Sequence, residues 1–471
     1  MGKKSNIDFI TNGKITDVIF KLSIPLMISN LIKTLYGITD GIYVAQISSV
    51  DYAATSFTWP VLYLFIAVGL GVSVAATALM SQRLGARKLD DCSIYAGHTL
   101  VLTSFLGVIF SILGVITAPF IVRWMGATGN FEYKSYIFLA INSLGLLFDM
   151  IFFGYQAILN SQGRTKSMTI ISTISSVANV ILDPFFIFDS VLGIPGLNMG
   201  LAGAAWATVL SKVLLVVFAV RTVKKESEIE VSFKNFNFDM GIIKHIFSIA
   251  IPASLGSSGE AIGFTILNGF IQSYGTTTLA AFSMGNRLSD IFNQGSIGIG
   301  MALTSITGQN IGAGKKERSK QIFKRANIII TFFSLISAMI ILVFKDQLLS
   351  IFIKDKSDIE LWAQASEYMY YSAVITFFMG YFSAINGFFQ GIGKTKLTMF
   401  LSLARLWALR LPLIVILKHL TNLESTGIWI SMLVSNGLTV LIGFIIYSRG
   451  KWDRLDWCSA LVFFLLGKFI N

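Results

Sequence analysis

The residues of this chain that could do chemistry are ionisable side chains set inside long apolar runs. Lys33, Tyr36 and Asp40 fall at i, i+3 and i+7 within residues 21–46, a run long enough to cross a bilayer, so a helix would present all three on one face. A charge in hydrocarbon is costly, and that face is expected to look into protein or water. A second carboxylate, Asp183, lies in the apolar run 167–189 with Asn179 one turn before it. Two carboxylates drawn together in a low dielectric cannot both stay ionised cheaply, so the pair is expected to hold a proton or share a cation such as sodium near neutral pH. That is the chemistry of a coupling-ion site at Asp40, Asn179 and Asp183. The bland alternatives are a helix-end turn at Asp40-Gly41 and a pre-proline kink at Asp183-Pro184.

Other intramembrane charges invite weaker readings. Lys33 and Glu260 each stand eight residues after a proline, Pro25 and Pro252, and at equal depth in two bundles they could pair with each other. Glu260 could instead receive a cationic substrate, and either residue could snorkel or pair within its own bundle. Arg287 and Asp290, at i and i+3, most simply neutralise each other, although they too are candidates to line a substrate path. Arg405 and Arg410 offer no clear partner in the sequence. His98, His245 and His419 are scattered and form no metal motif, nor do Cys92 and Cys458. Residues 387–395 resemble a phosphate-binding loop, but one residue too many separates the outer glycines and an apolar helix precedes them where a strand is required.

The elements that must position these groups are membrane helices. Of 471 residues 54% are apolar and 13% charged, the mean hydropathy is +0.71, and the apolar residues come in runs of about 20 or more. The polar N-terminus has no signal-peptide pattern. Twelve spans are expected, at 18–46, 52–80, 93–120, 133–159, 167–189, 199–220, 242–273, 277–308, 321–344, 361–391, 397–417 and 427–448. Twenty-five lysines and arginines fall in the N-terminal segment, the even-numbered loops and the tail, against six (Arg123, Lys134, Lys345, Lys354, Lys356 and Lys418) on the other side. This bias places both termini in the cytoplasm and accounts for the net charge of +12 as topology, without a nucleic-acid partner. On that orientation Asp40 and Asp183 lie at similar depth, 19 and 17 residues beyond Lys21 and Lys166. Trp124, Trp362, Trp452 and Trp457 fall near segment ends, and residues 460–470 are too short to span and read as an interfacial tail.

The chain also repeats itself. Shifting by 227 positions without a gap matches 13 of the 68 residues from 21 to 88, among them Pro25 with Pro252, Gly71 with Gly298, and Gln82, Gly85, Ala86 and Lys88 with Gln309, Gly312, Ala313 and Lys315. The expected fold is all-α and integral to the membrane: twelve transmembrane helices in two pseudo-symmetric six-helix bundles facing a cleft. The bundles are residues 1–220 and 242–448, with a cytoplasmic linker at 221–241 and a tail at 449–471.

These residues resemble the multidrug and toxic compound extrusion (MATE) transporters over about residues 16 to 448. The resemblance rests on Pro25 with Asp40 fifteen residues on, Gln82-Arg83-Leu84-Gly85-Ala86 with its echo at 309–313, Gln162-Gly163-Arg164-Thr165-Lys166, and Gly200-Leu201-Ala202-Gly203-Ala204-Ala205. It implies a V-shaped pair of lobes exporting amphipathic, often cationic compounds in exchange for protons or sodium by alternating access. Asp40, Asn179 and Asp183 look like the first-lobe cation site of the DinF-like branch, and Glu260 is similar to a second-lobe acid of the NorM-like branch. Lys33 departs from the amide common at its position. The resemblance implies no cofactor and no enzymatic activity, and it points to a monomer in the inner membrane whose partners are small molecules and lipids. Two alternatives are a lipid-linked oligosaccharide flippase of the same superfamily and a prenyltransferase-type membrane enzyme. The enzyme would need an Asp-Asp-x-x-Asp cluster, and Asp90-Asp91 lacks the third acid.

Overall fold

The computed structural model describes residues 6–231, 237–353 and 358–450. Trp452, Trp457, Cys458 and the apolar tail at 460–470 lie outside the described residues. A short helix α1 (Ile7–Asn12) leads into α2 (Ile15–Ile47), α3 (Ser49–Gly85), α4 (Leu89–Trp124), α5 (Gly129–Ser161) and α6 (Thr165–Ile187). A two-stranded antiparallel hairpin, β1 (Ser190–Val191) with β2 (Ile194–Pro195), precedes α7 (Gly200–Glu226). The second half holds α8 (Met240–Gln272), α9 (Thr276–Gly312), α10 (Lys316–Val343), a short α11 (Lys345–Ser350) and α12 (Ile359–Gly391). It ends with α13 (Thr395–Leu403), a π-helical segment Ala404–Arg410 running directly into α14 (Leu411–Leu420), and α15 (Glu424–Ser448).

Among the described residues, eleven helices are long and apolar enough to cross a membrane, so this is a multi-pass membrane protein. The 37-residue α9 stands apart from those eleven. Arg287, Asp290 and many Gly, Ser, Thr and Asn residues dilute its hydropathy. The helices run past the expected spans into both interfaces, as in α3, whose start is fixed by Ser48: its hydroxyl accepts the Asp51 N–H at 3.1 Å. Helix lengths echo the sequence repeat. Helices α2 and α8 have 33 residues each, α3 and α9 have 37 each, and α5 and α12 have 33 each.

Two compact units divide the chain. The first gathers residues up to Gly13, Ile28–Ser254 and Gly308–Lys315, and the second holds Lys14–Met27, Leu255–Thr307 and the chain from Lys316. In the first, α5 packs against α3, α4 and α7, and α6 against α7, around a core that includes Leu79, Met80, Ile158 and Leu159. In the second, α12 packs against α10 and α15, with Phe282 stacked on Trp429 and Tyr368 set at an angle to both in the core. Both α2 and α8 change unit along their length, between residues 27 and 28 and between 254 and 255, and Pro25 and Pro252 lie inside these helices just before the change.

The repeated glycines have a steric reason within the first unit. A Cβ on Gly85 would overlap the Gln309 carbonyl oxygen, and one on Gly312 would overlap the Gln82 carbonyl oxygen. The ends of α3 and α9 therefore cross backbone to backbone, each using the glycine of one repeat against the glutamine of the other. Only a residue without a side chain permits that approach. Gly312→Ala is expected to lower stability by roughly 1–3 kcal/mol, because a backbone carbonyl cannot move aside as a flexible side chain could. Thermal melting of the detergent-purified protein checks this, and a melting temperature equal to that of the parent would contradict the crossing.

Candidate functional site

The first unit brings Asp40 and Asp183 together. Asp40 sits inside α2, well before the helix ends at Ile47, and Asp183 opens the last turn of α6. Their carboxyl groups lie close enough to act on each other. Two acids so placed away from water cannot both stay ionised cheaply, so the site suits one shared proton or cation. Asp183 is 0% exposed and Asn179, one turn earlier on α6, is 1% exposed. Assigned by its surroundings, the Asn179 amide donates its nitrogen to Asp183 Oδ2 at 2.9 Å and accepts the Thr208 N–H on its oxygen at 3.2 Å. The Tyr36 hydroxyl shares a hydrogen bond with the Thr208 side chain, and the charges acting on it are those of Asp40, Asp183 and Asp149. Helices α2, α6 and α7 thus each supply polar groups to one cluster.

Lys33 belongs to a neighbouring ionic group. The charge of Asp149 on α5 acts on it, and Asp149 itself pairs with Lys212 on α7 at 2.7 Å. Both members of the Asp149–Lys212 pair are largely buried. Glu260, in the second unit, accepts from Arg405 Nη2 at 2.7 Å. Lys33 and Glu260, raised together from the repeat, fall in different units. Asp290 accepts from Asn286 Nδ2 at 3.1 Å, and Asn286 Oδ1 in turn accepts from the Tyr368 hydroxyl at 3.5 Å. Asp290 and Arg287 are exposed on α9.

Two participants were missed in the sequence. Asp149 and Lys212 carried the same signal as Asp40, an ionisable residue inside an apolar span, and could have been found by it. Arg405 and Arg410 were noticed, yet their partners Glu260, Ser435 and Asn436 come from other helices at separations no local pattern reveals.

The chain can now be set beside known proteins. The family profile described as MatE matches residues 25–185 and 252–416. The chain is similar to the probable multidrug resistance protein YoeA of Bacillus subtilis (strain 168), 24% identical over 424 residues that cover 89% of this chain and 90% of that one. A probable multidrug resistance protein NorM of Thermotoga maritima is 23% identical over 443 residues, 93% of each chain. Among solved structures, the outward-facing conformation of a multidrug resistance MATE family transporter of the MOP superfamily superposes with a TM-score of 0.89 at 25% identity, covering 96% of this chain and 99% of that one. A MATE structure in the bent conformation superposes with a TM-score of 0.88 at 25% identity, covering 98% and 100%.

The ionic group on α5 makes a ranked prediction. In Lys212→Met the charge of Lys33 still acts on Asp149, whereas Asp149→Asn takes away an acid that acts on both lysines. The second change is expected to cost about 3–5 kcal/mol and the first clearly less. Melting curves of both variants check the order, and a larger loss in Lys212→Met would reverse the assignment of Asp149 as the shared acid.

Proposed function

The chain belongs to the MatE family, and from that membership and the geometry of the first unit we propose that it exports small organic molecules by proton-coupled antiport. One observation carries the choice of ion: Asp40 and Asp183 face each other in a largely buried site, where a single proton is enough to relieve the repulsion of two carboxylates. Assigned by its surroundings, the Asn179 amide turns its nitrogen toward Asp183 and adds a donor to the pair. Sodium is the second reading, since Asp40, Asp183, Tyr36 and Thr208 are hard oxygen donors and a rotated Asn179 would add a fifth.

The long helices are read as twelve spans in two six-helix bundles, residues 1–220 and 242–448, joined by the linker 221–241. Both termini then face the cytoplasm of a cell whose inner membrane holds the protein as a monomer. The names of the relatives support amphipathic drugs as substrates, often cationic ones.

Coupling needs only that the proton favour one conformation over the other. A proton arriving from outside neutralises the Asp40 and Asp183 pair, α2 and its neighbours rearrange, and substrate leaves outward. The return of the proton to the cytoplasm resets the pair. The force available is modest. One proton crossing a potential of about 100 mV and a gradient of about one pH unit releases roughly 3.7 kcal/mol, enough to hold a neutral compound at a gradient of about 500-fold.

Asp40→Asn and Asp183→Asn are each expected to abolish drug resistance in an efflux-deficient host while the protein still accumulates in the membrane. In inside-out vesicles a fluorescent amphipathic cation should be taken up under an imposed proton gradient and not under a sodium gradient. Uptake driven by sodium alone would replace the proton reading with the sodium one. Unchanged resistance in both variants would remove the carboxyl pair from the coupling mechanism.

A further inference from the structure

Among the described residues of the second unit, the buried guanidinium groups of Arg405 and Arg410 have one carboxylate, Glu260, within ion-pair distance. Arg405 is 2% exposed and Arg410 is 1% exposed. Arginine cannot shed its proton to escape the cost of burial, so each needs compensation from what surrounds it. Arg405 has Glu260 Oε1 at 2.7 Å, Asn436 Oδ1 at 3.3 Å and the Met379 sulfur at 3.0 Å. Arg410 has only neutral partners, Ser435 Oγ at 3.1 Å and the same Asn436 oxygen at 3.1 Å.

The supply of acceptors falls short. Two guanidinium groups bring ten N–H donors, and one amide oxygen is shared between them while a thioether serves as another acceptor. Arg405 Nε is buried with no hydrogen-bond partner at all. The Phe382 ring lies 4.5 Å from the Arg405 guanidinium and the Phe264 ring 6.0 Å from that of Arg410, so aromatic faces supply part of the wall.

Local backbone geometry makes this convergence possible. Arg405 and Arg410 are five residues apart, and in an α-helix they would point about 140° away from each other. The π-helical segment Ala404–Arg410 replaces that spacing with one in which i and i+5 lie nearly above one another. Both arginines consequently reach Asn436 on α15.

We infer that Arg405 and Arg410 form a binding site for a carboxylate or similar monoanion, with the Glu260 carboxylate holding the place of that group in its absence. Glu260 is the open edge of the cluster, its side chain 29% exposed while Arg405 behind it is closed off. An incoming anion takes the position of Glu260 against Arg405 Nη2 and engages the free Nε, and the aromatic walls accommodate an apolar body attached to it. This deepens the export reading by adding compounds that carry an acid group to its substrates. It does not rest on Asp40 and Asp183, so a failure of proton coupling and a failure of this site are separately visible.

The test is binding to the purified full-length protein in detergent, read as a shift in melting temperature. The probes are 4-butylbenzoate, the matched cation 4-butylbenzyltrimethylammonium, and sodium chloride against sodium sulfate, a dianion, at constant ionic strength. A saturable rise with 4-butylbenzoate and not with the cation is expected, with affinity at least tenfold weaker in Arg410→Met and several-fold tighter in Glu260→Gln. A rise with chloride alone, sensitive to the same two substitutions, would support the site and name an inorganic ion as its occupant. If Arg410→Met does not fold, Glu260→Gln decides, because it keeps both arginines and frees one. Equal response to the anionic and cationic probes, or an affinity within twofold of the parent in Glu260→Gln, would overturn the inference.

Discussion

An ionised side chain in hydrocarbon must find a counter-group or leave the membrane, and the interior of this protein is arranged around that requirement. In the first unit, Asp149 pairs with Lys212 and its charge reaches Lys33, and the carboxyl groups of Asp40 and Asp183 act on each other. In the second, Glu260 meets Arg405. Each arrangement is met by residues on separate helices, so the polar groups fix the mutual setting of the helices as much as the apolar core does. Lipid-facing leucines and phenylalanines would tolerate a rotation of any one helix, but a buried acid set against its partner would not.

The same requirement separates groups that only hold the structure from groups that can change. A lysine paired with an acid at 2.7 Å is closed chemistry, with both charges satisfied. Two acids in contact are open chemistry, because their state depends on a particle taken from outside. The first unit places one of each side by side on the same three or four helices. The Tyr36 hydroxyl, which feels both Asp183 and Asp149, joins the two groups electrostatically.

Much of the architecture was legible in the sequence. Apolar runs located the long helices, and the shift of 227 positions anticipated helix lengths that recur between the halves. The meeting of Asp40 with Asp183 could be foreseen because depth in a membrane is one-dimensional and can be counted from the flanking lysines. What could not be foreseen depends on azimuth, the direction in which a helix face looks. Asp149 with Lys212, and Arg405 with Glu260, are separated by 63 and 145 residues and meet only once the helices are packed. The π-helical segment has no sequence mark, since Ala404-Arg405-Leu406-Trp407 would be an ordinary α-helical turn by propensity. The hairpin at 190–195 escaped for a different reason, being two residues per strand and turned by Gly193 at φ +81°.

The prolines of α2 and α8 occupy the place where each helix passes from one compact unit to the other. A proline removes one rung of the backbone ladder and leaves the helix able to swivel about a single turn. The stretch after that missing rung carries Asp40 in α2 and Glu260 in α8. Such a stretch can change its direction while every other turn of its helix stays intact.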